Sequence, residues 1–207
     1  MSFIKKNLPI ILFILYLAEF IFLAIDPYDR KVWFAENLPI VIIVAILVFT
    51  YKKFRFSNTA YIMMSFLIFM HTIGGHYTFS RVPFDFVNDF FGFERNNFDR
   101  FAHFSVGFYA YAIAEFLDRK KLVNAKWLLY LFPITAIFTV ASVYEIIEWI
   151  TAVSIDPEAG MAFLGVQGDV WDAQKDMLMD GLGSITAVII YAIINKASKN
   201  TFSQDTL

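Results

Sequence analysis

The chain has 207 residues, 58% hydrophobic and 17% charged, with 25 Phe, 10 Tyr, no cysteine and a formal net charge of −2. Soluble domains average about 45–50% apolar and about 25% charged residues, so this composition excludes a disordered chain, a basic nucleic-acid-binding domain and almost any soluble enzyme. Without cysteine there is no disulfide, thiolate metal ligand or Cys nucleophile.

Six apolar stretches lie between charged punctuation, at about 8–25, 33–51, 59–76, 101–117, 127–150 and 176–195. Each fits the roughly 17–25 residues of a membrane-crossing helix. The first has Lys5 and Lys6 in front but no small-x-small cleavage pattern, and is read as retained. The second carries Glu36 near its start, which leaves that boundary open. Pro9, Pro39 and Pro133 fall near the starts of their stretches, where a helix tolerates proline better than at mid-span. The expectation is an all-α, polytopic membrane helix bundle of about six transmembrane helices. It forms a single transmembrane domain over 1–198, followed by a flexible polar tail at 199–207. With the N-terminus inside, the inner segments hold 11 of the 17 Lys and Arg residues and the outer ones 6. The positive-inside rule therefore favours both termini in the cytoplasm.

Lys and Arg alone set that orientation, and it places the other ionisable residues independently. All three histidines fall on the outer side: His71 and His76 late in the third stretch, His103 early in the fourth. Asp99 precedes His103 by four residues, and Glu145 and Glu148 are three apart, so each pair shares a helix face. Asp172, Asp176 and Asp180 form a single stripe at i, i+4, i+8. His71 and His76 are five apart, off one face, with Gly74 and Gly75 placed to end the helix and redirect His76. The charge-free run Gly181–Asn195 is roughly 22 Å long at 1.5 Å per residue, shorter than a ~30 Å hydrocarbon core. Asp180 therefore enters the bilayer zone, where a charge costs at least ~2.5–3.5 kcal/mol and normally faces the bundle interior. Gly107, Gly181, Gly183 and Ser184 read as close helix packing.

So many acids near one another require cations, protons or arginines from the loop: Arg81, Arg95 or Arg100. Carboxylates mixed with His suit Zn, Mn or Fe, and carboxylates alone suit Mg, Ca or Mn. The candidate catalytic residues are His103, Asp99 and His71, with Asp99 orienting His103. The candidate ligands of a divalent metal ion are His76, Glu145, Glu148, Asp172, Asp176 and Asp180. Structural readings stand beside these: Asp99 as a helix cap, His76 as an interfacial residue, the two Glu as rim charges, and the Asp stripe as a solvated first turn.

The motifs His71-Thr-Ile-Gly-Gly-His76, Arg95-Asn-Asn-Phe-Asp99-Arg-Phe-Ala-His103, Tyr144-Glu-Ile-Ile-Glu148-Trp and Gly168-Asp-Val-Trp-Asp172-Ala-Gln-Lys-Asp176-Met-Leu-Met-Asp180 together resemble the YjdF-like bacterial inner-membrane proteins. That resemblance implies a multi-pass protein of the bacterial cytoplasmic membrane and supplies no substrate. A more distant resemblance is to VanZ-like proteins, through Asp99, Arg100 and His103, then Glu145 or Glu148, then Asp172, Asp176 and Gly183. The residues themselves suggest a metal-dependent enzyme acting on a lipid or lipid-linked envelope substrate at the outer face, with the bilayer and no nucleic acid as its surroundings. The alternatives are a cation- or proton-coupled transporter, or a non-catalytic envelope protein with a polar lock.

Overall fold

A computed structural model describes residues 3–154 and 167–204, and among them the only regular structure is helical. The elements are α1 (Phe3–Leu23), α2 (Arg30–Thr50), α3 (Asn58–Tyr77), a 3-10 turn (Phe79–Arg81), α4 (Asp85–Phe91), α5 (Phe98–Val106), α6 (Tyr109–Arg119), α7 (Lys126–Ser154) and α8 (Asp172–Gln204). Four of them, α1, α2, α7 and α8, are long and apolar enough to cross a membrane. α3 has the length, 20 residues, with two histidines in its outer half. The expected span 101–117 is divided into α5 and α6. The all-α membrane bundle is borne out, and of the six expected stretches the first, second, fifth and sixth coincide with helices apolar enough to cross. α8 continues over the first part of the expected tail, to Gln204, and residues 205–207 lie outside the described residues.

Local chemistry starts the helices. Asp29 caps α2 by accepting from Lys31 N at 2.7 Å and Val32 N at 3.0 Å. Ser57 caps α3 through Ala60 N. α1 and α2 lean on α3, α3 packs on α5 and α6, and these pack on α8, which α7 covers. One apolar core joins α3, α6, α7 and α8 through residues such as Met64, Tyr111, Ile137 and Tyr191. A smaller one joins α1, α2 and α3 through Tyr16, Ile40 and Leu67. The opposite faces of α1, α2 and α7 expose Ile, Phe and Val, among them Ile14, Phe49 and Val140, as lipid-facing helices do.

Hydrogen bonds between segments distant in sequence define the two ends. At one, Arg55 donates to Lys6 O, Asn58 to Lys5 O, and Arg119 to Arg55 O. Lys52, Lys53, Lys120, Lys121 and Lys126 belong to the same turns, so this basic end faces the cytoplasm by the positive-inside rule. At the other, Tyr28 N donates to His76 O, and Arg95 and Arg100 reach Asp172. The loop expected on the outer leaflet contains α4, whose Phe86 and Phe90 are 85% and 75% exposed.

The break between α5 and α6 falls at Gly107 and Phe108, where Phe108, Ala110 and Tyr111 each donate three residues back. Gly107 lies against the backbone of Asp180, Gly183 and Ser184, and Gly183 against Phe104 O. No Cβ fits at either position, so the two backbones cross in direct contact. Gly181 leaves room for the Phe138 ring of α7. Gly74 and Gly75 do not end α3 as expected. The helix runs through both, because Gly74 receives the Phe79 ring and Gly75 lies against Glu36 and Asn37 of α2.

Candidate functional site

The Gly107–Gly183 crossing places His103, one turn before Gly107, over Asp180, one turn before Gly183. His103 Nδ1 lies 3.2 Å from Asp180 Oδ2, and Asp180 is 1% exposed. With the carboxylate accepting at Nδ1, Nε2 is left as an acceptor or ligand. That nitrogen faces Asp99 Oδ1 at 3.7 Å and Asp176 Oδ1 at 4.0 Å. One ligand atom from each of Asp99, His103 and Asp176 lies within 4.8 Å of the others. Two ligands bound at about 2.0–2.2 Å stand at most about 4 Å apart, so the trio needs only a small contraction to share one ion.

Asp99 and Asp180 thus occupy positions opposite to those expected. Asp180 orients the imidazole, and Asp99 faces its free nitrogen. Asp99 is not the cap of α5 either, since that position is Asn97. Asp180 Oδ1 and Glu145 Oε1 are buried without a hydrogen-bond partner among the described residues, whereas the buried Asp176 Oδ1 meets Arg100 Nη1. Glu145 lies in electrostatic range of His103, Asp176, Asp99 and Asp180, and Glu148 in range of Glu145, Asp99, His103 and Glu36. The face of α7 carrying both Glu is therefore turned to the site.

The start of α8 is built differently. Asp172 Oδ1 receives Arg95 at 2.6 Å and Arg100 at 2.5 Å, and Arg100 also donates to Asp172 O at 3.0 Å. Asp169 receives Arg100 at 3.2 Å and Lys175 at 2.6 Å, and the Lys175 hydrogen bond holds its carboxyl below the usual carboxylate range. Arg100 Nη1 also contacts Asp176 Oδ1. Asp172, expected as a metal ligand, is thereby the centre of an arginine clamp. Arg81, the third candidate cation, lies over the Tyr28 ring at 4.0 Å, away from the clamp.

Two histidines stand outside the trio. His76 Nδ1 lies 2.8 Å from Leu23 O, tying the end of α3 to that of α1, which places it away from the ligand set where it was expected. His71 Nε2 lies 3.2 Å from Glu36 Oε2, off the line of a hydrogen bond. Glu36 is the buried partner of His71 that sequence reasoning missed, since it served only to blur the start of a span. Its signal was the rarity of a single acid in an apolar helix.

The family described as "Predicted membrane protein (DUF2238)" matches residues 8–197. The chain belongs to this family. It is 34% identical over 178 residues to the inner membrane protein YjdF of Escherichia coli (strain K12), covering 83% of each chain. No solved structure matches it. The YjdF-like resemblance and the multi-pass inner-membrane location are thereby shown, whereas the VanZ-like likeness rests on motif spacing alone.

Proposed function

We propose that Asp99, His103 and Asp176 bind one divalent cation at the outer end of the bundle, and that the site performs metal-assisted chemistry on a lipid or lipid-linked envelope substrate. The observation that carries this reading is the convergence of His103 Nε2 with one carboxylate oxygen each from Asp99 and Asp176. Asp180 on His103 Nδ1 supports it, because a carboxylate on the far nitrogen is the usual support of a metal-bound imidazole. A mixed nitrogen and oxygen set favours Zn, Mn or Fe over Mg or Ca. Such an ion would polarise a phosphoryl or carbonyl oxygen, or lower the pKa of a bound water. Glu145, with an unpartnered oxygen in electrostatic range of the trio, is a further carboxylate available to take a proton. The aromatic α4 rim and exposed Val170 and Trp171 suit a substrate arriving from the membrane interface.

The test is elemental analysis of detergent-purified protein, wild type beside His103→Ala and Asp176→Ala, with folding checked by thermal unfolding. About one divalent metal per chain, lost in both folded variants, is the expected result. No metal in folded wild type after reloading with Zn, Mn and Fe would overturn the reading and leave the outer end as a polar lock.

A second reading, cation- or proton-coupled transport, is favoured by one observation. The Glu36–His71 pair and Glu148 extend the buried ionisable groups across α2, α3 and α7. Gradient-driven uptake into proteoliposomes, abolished by Glu36→Gln with metal content unchanged, would select it.

A further inference from the structure

At the basic end, far from the metal-site residues, α2 and α6 each pack on α3 and leave a groove of about 620 Å³ between them. Its depth is apolar, lined by Ile43, Leu47, Met64, Tyr109, Ala112 and Ile113, and its wall residues Ile46 and Phe116 are exposed to the bilayer. Charge is confined to its mouth, where Lys53 follows α2 and Lys120 caps the C-terminus of α6. Both lysines are exposed. Lys120 lies over the Phe54 ring at 5.6 Å, and neither has a carboxylate partner among the described residues. The neighbouring Arg119 is already taken by Glu115, and Arg55 by Lys6 O.

We infer that this groove binds one anionic phospholipid of the cytoplasmic leaflet, its phosphate between Lys53 and Lys120 and an acyl chain along α6. The dimensions fit. From Lys120 to Tyr109 the helix rises roughly 16 Å, about half of a ~30 Å hydrocarbon core, which is the depth of one leaflet. A soluble ligand would leave the apolar depth unfilled. A partner helix would extend past one leaflet and would not need both cations at one end. A lysine near an anionic surface attracts its headgroups directly.

Native mass spectrometry of the full chain in detergent, with added phosphatidylglycerol or phosphatidylcholine, tests this. The variants are Lys53→Gln/Lys120→Gln and a control, Lys52→Gln/Lys126→Gln, whose lysines do not line the groove. All four positions are exposed, so folding should persist, and thermal unfolding checks that it does. One tightly held phosphatidylglycerol is expected, preferred over phosphatidylcholine by at least about fivefold. The preference should vanish in the first variant and persist in the control. Equal retention of the two lipids, a preference that survives Lys53→Gln/Lys120→Gln, an equal loss in the control, or a dimer in place of bound lipid would each overturn the assignment.

Discussion

At the basic end of the bundle, Glu115 is 4% exposed and accepts from Ser57 N at 2.8 Å, Ser57 Oγ at 2.6 Å and Arg119 at 2.5 Å. Asp118 beside it accepts from Tyr191 Oη at 2.6 Å and Asn195 Nδ2 at 2.9 Å. At the outer end, Asp180 is 1% exposed, and its Oδ1, like Glu145 Oε1, has no hydrogen-bond partner among the described residues. Both ends place acids inside a membrane protein, and only one satisfies them. Carboxylates held by protein donors in this way are structural locks, the buried Glu115 joining α3 to α6 and the half-buried Asp118 joining α6 to α8. Buried carboxylates with lone pairs left over, grouped around an oriented imidazole, are what a cation site requires and a lock does not.

The sharpest way to break this contrast is to remove one acid at each end. Glu115→Ala strands the part-buried amide and hydroxyl of Ser57 and releases the exposed Arg119, at about 1–3 kcal/mol per stranded group. Thermal unfolding should show a large loss of stability. Asp99→Asn should leave the metal-free protein about as stable as wild type, since it thins a group of like charges and Asp99 has no Lys or Arg ion pair among the described residues, while metal content falls. Equal destabilisation at the two ends would erase the distinction.

Next in size is the crossing that assembles the site. Gly183→Ala drives a methyl group into Phe104 O, backbone against side chain with no rotamer to relieve it. A cost of about 3 kcal/mol, the upper part of the usual overpacking range, should appear in thermal unfolding together with loss of metal. Gly92→Ala is the control. It has open space around it, although its φ of +68° makes a small strain cost expected there as well, with metal binding retained. A smaller effect is expected for Asp180→Asn, which keeps the shape and removes the charge behind His103 Nδ1. Metal affinity, measured by competition with a chelating dye, should fall about tenfold, the lower end for an outer-sphere carboxylate.

How much of this was legible depends on the range of the contact that carries it. The Asp172–Asp176–Asp180 stripe and the Asp99/His103 pair are local spacings on one helix, and both were readable from i, i+4 periodicity alone. The burial of Asp180 inside the bundle was readable too, since the short apolar run behind it requires a carboxylate there to face inward. What spacing cannot carry is which nitrogen of His103 meets which acid. That is set by two glycines 76 residues apart meeting across α5 and α8, and it exchanged the expected places of Asp99 and Asp180. The same limit hid Glu36, whose partner His71 sits on another helix. It also hid the attachment of His76 to a backbone carbonyl 53 residues away, a group with no sequence signature at all.

The smallest expected effect probes the boundary between lock and site, at the exposed edge of the clamp. Asp169 accepts from Lys175 at 2.6 Å, and that hydrogen bond is the main cause of its lowered carboxyl pKa. A depressed folded-state value contributes stability above the unfolded value of about 3.9 and loses it as pH falls through the lowered one. Lys175→Gln moves Asp169 back toward its ordinary value. Unfolding curves of the two proteins should therefore lie slightly apart near neutral pH and converge below about pH 3–4, with salt narrowing the gap because the pair is exposed. Metal content at neutral pH should not change, since Lys175 and Asp169 lie outside the His103 trio. Curves that stay parallel down to pH 3 would show that Asp169 owes its ionisation to Arg95 and Arg100 instead. A drop in metal content would extend the cation site outward into the clamp.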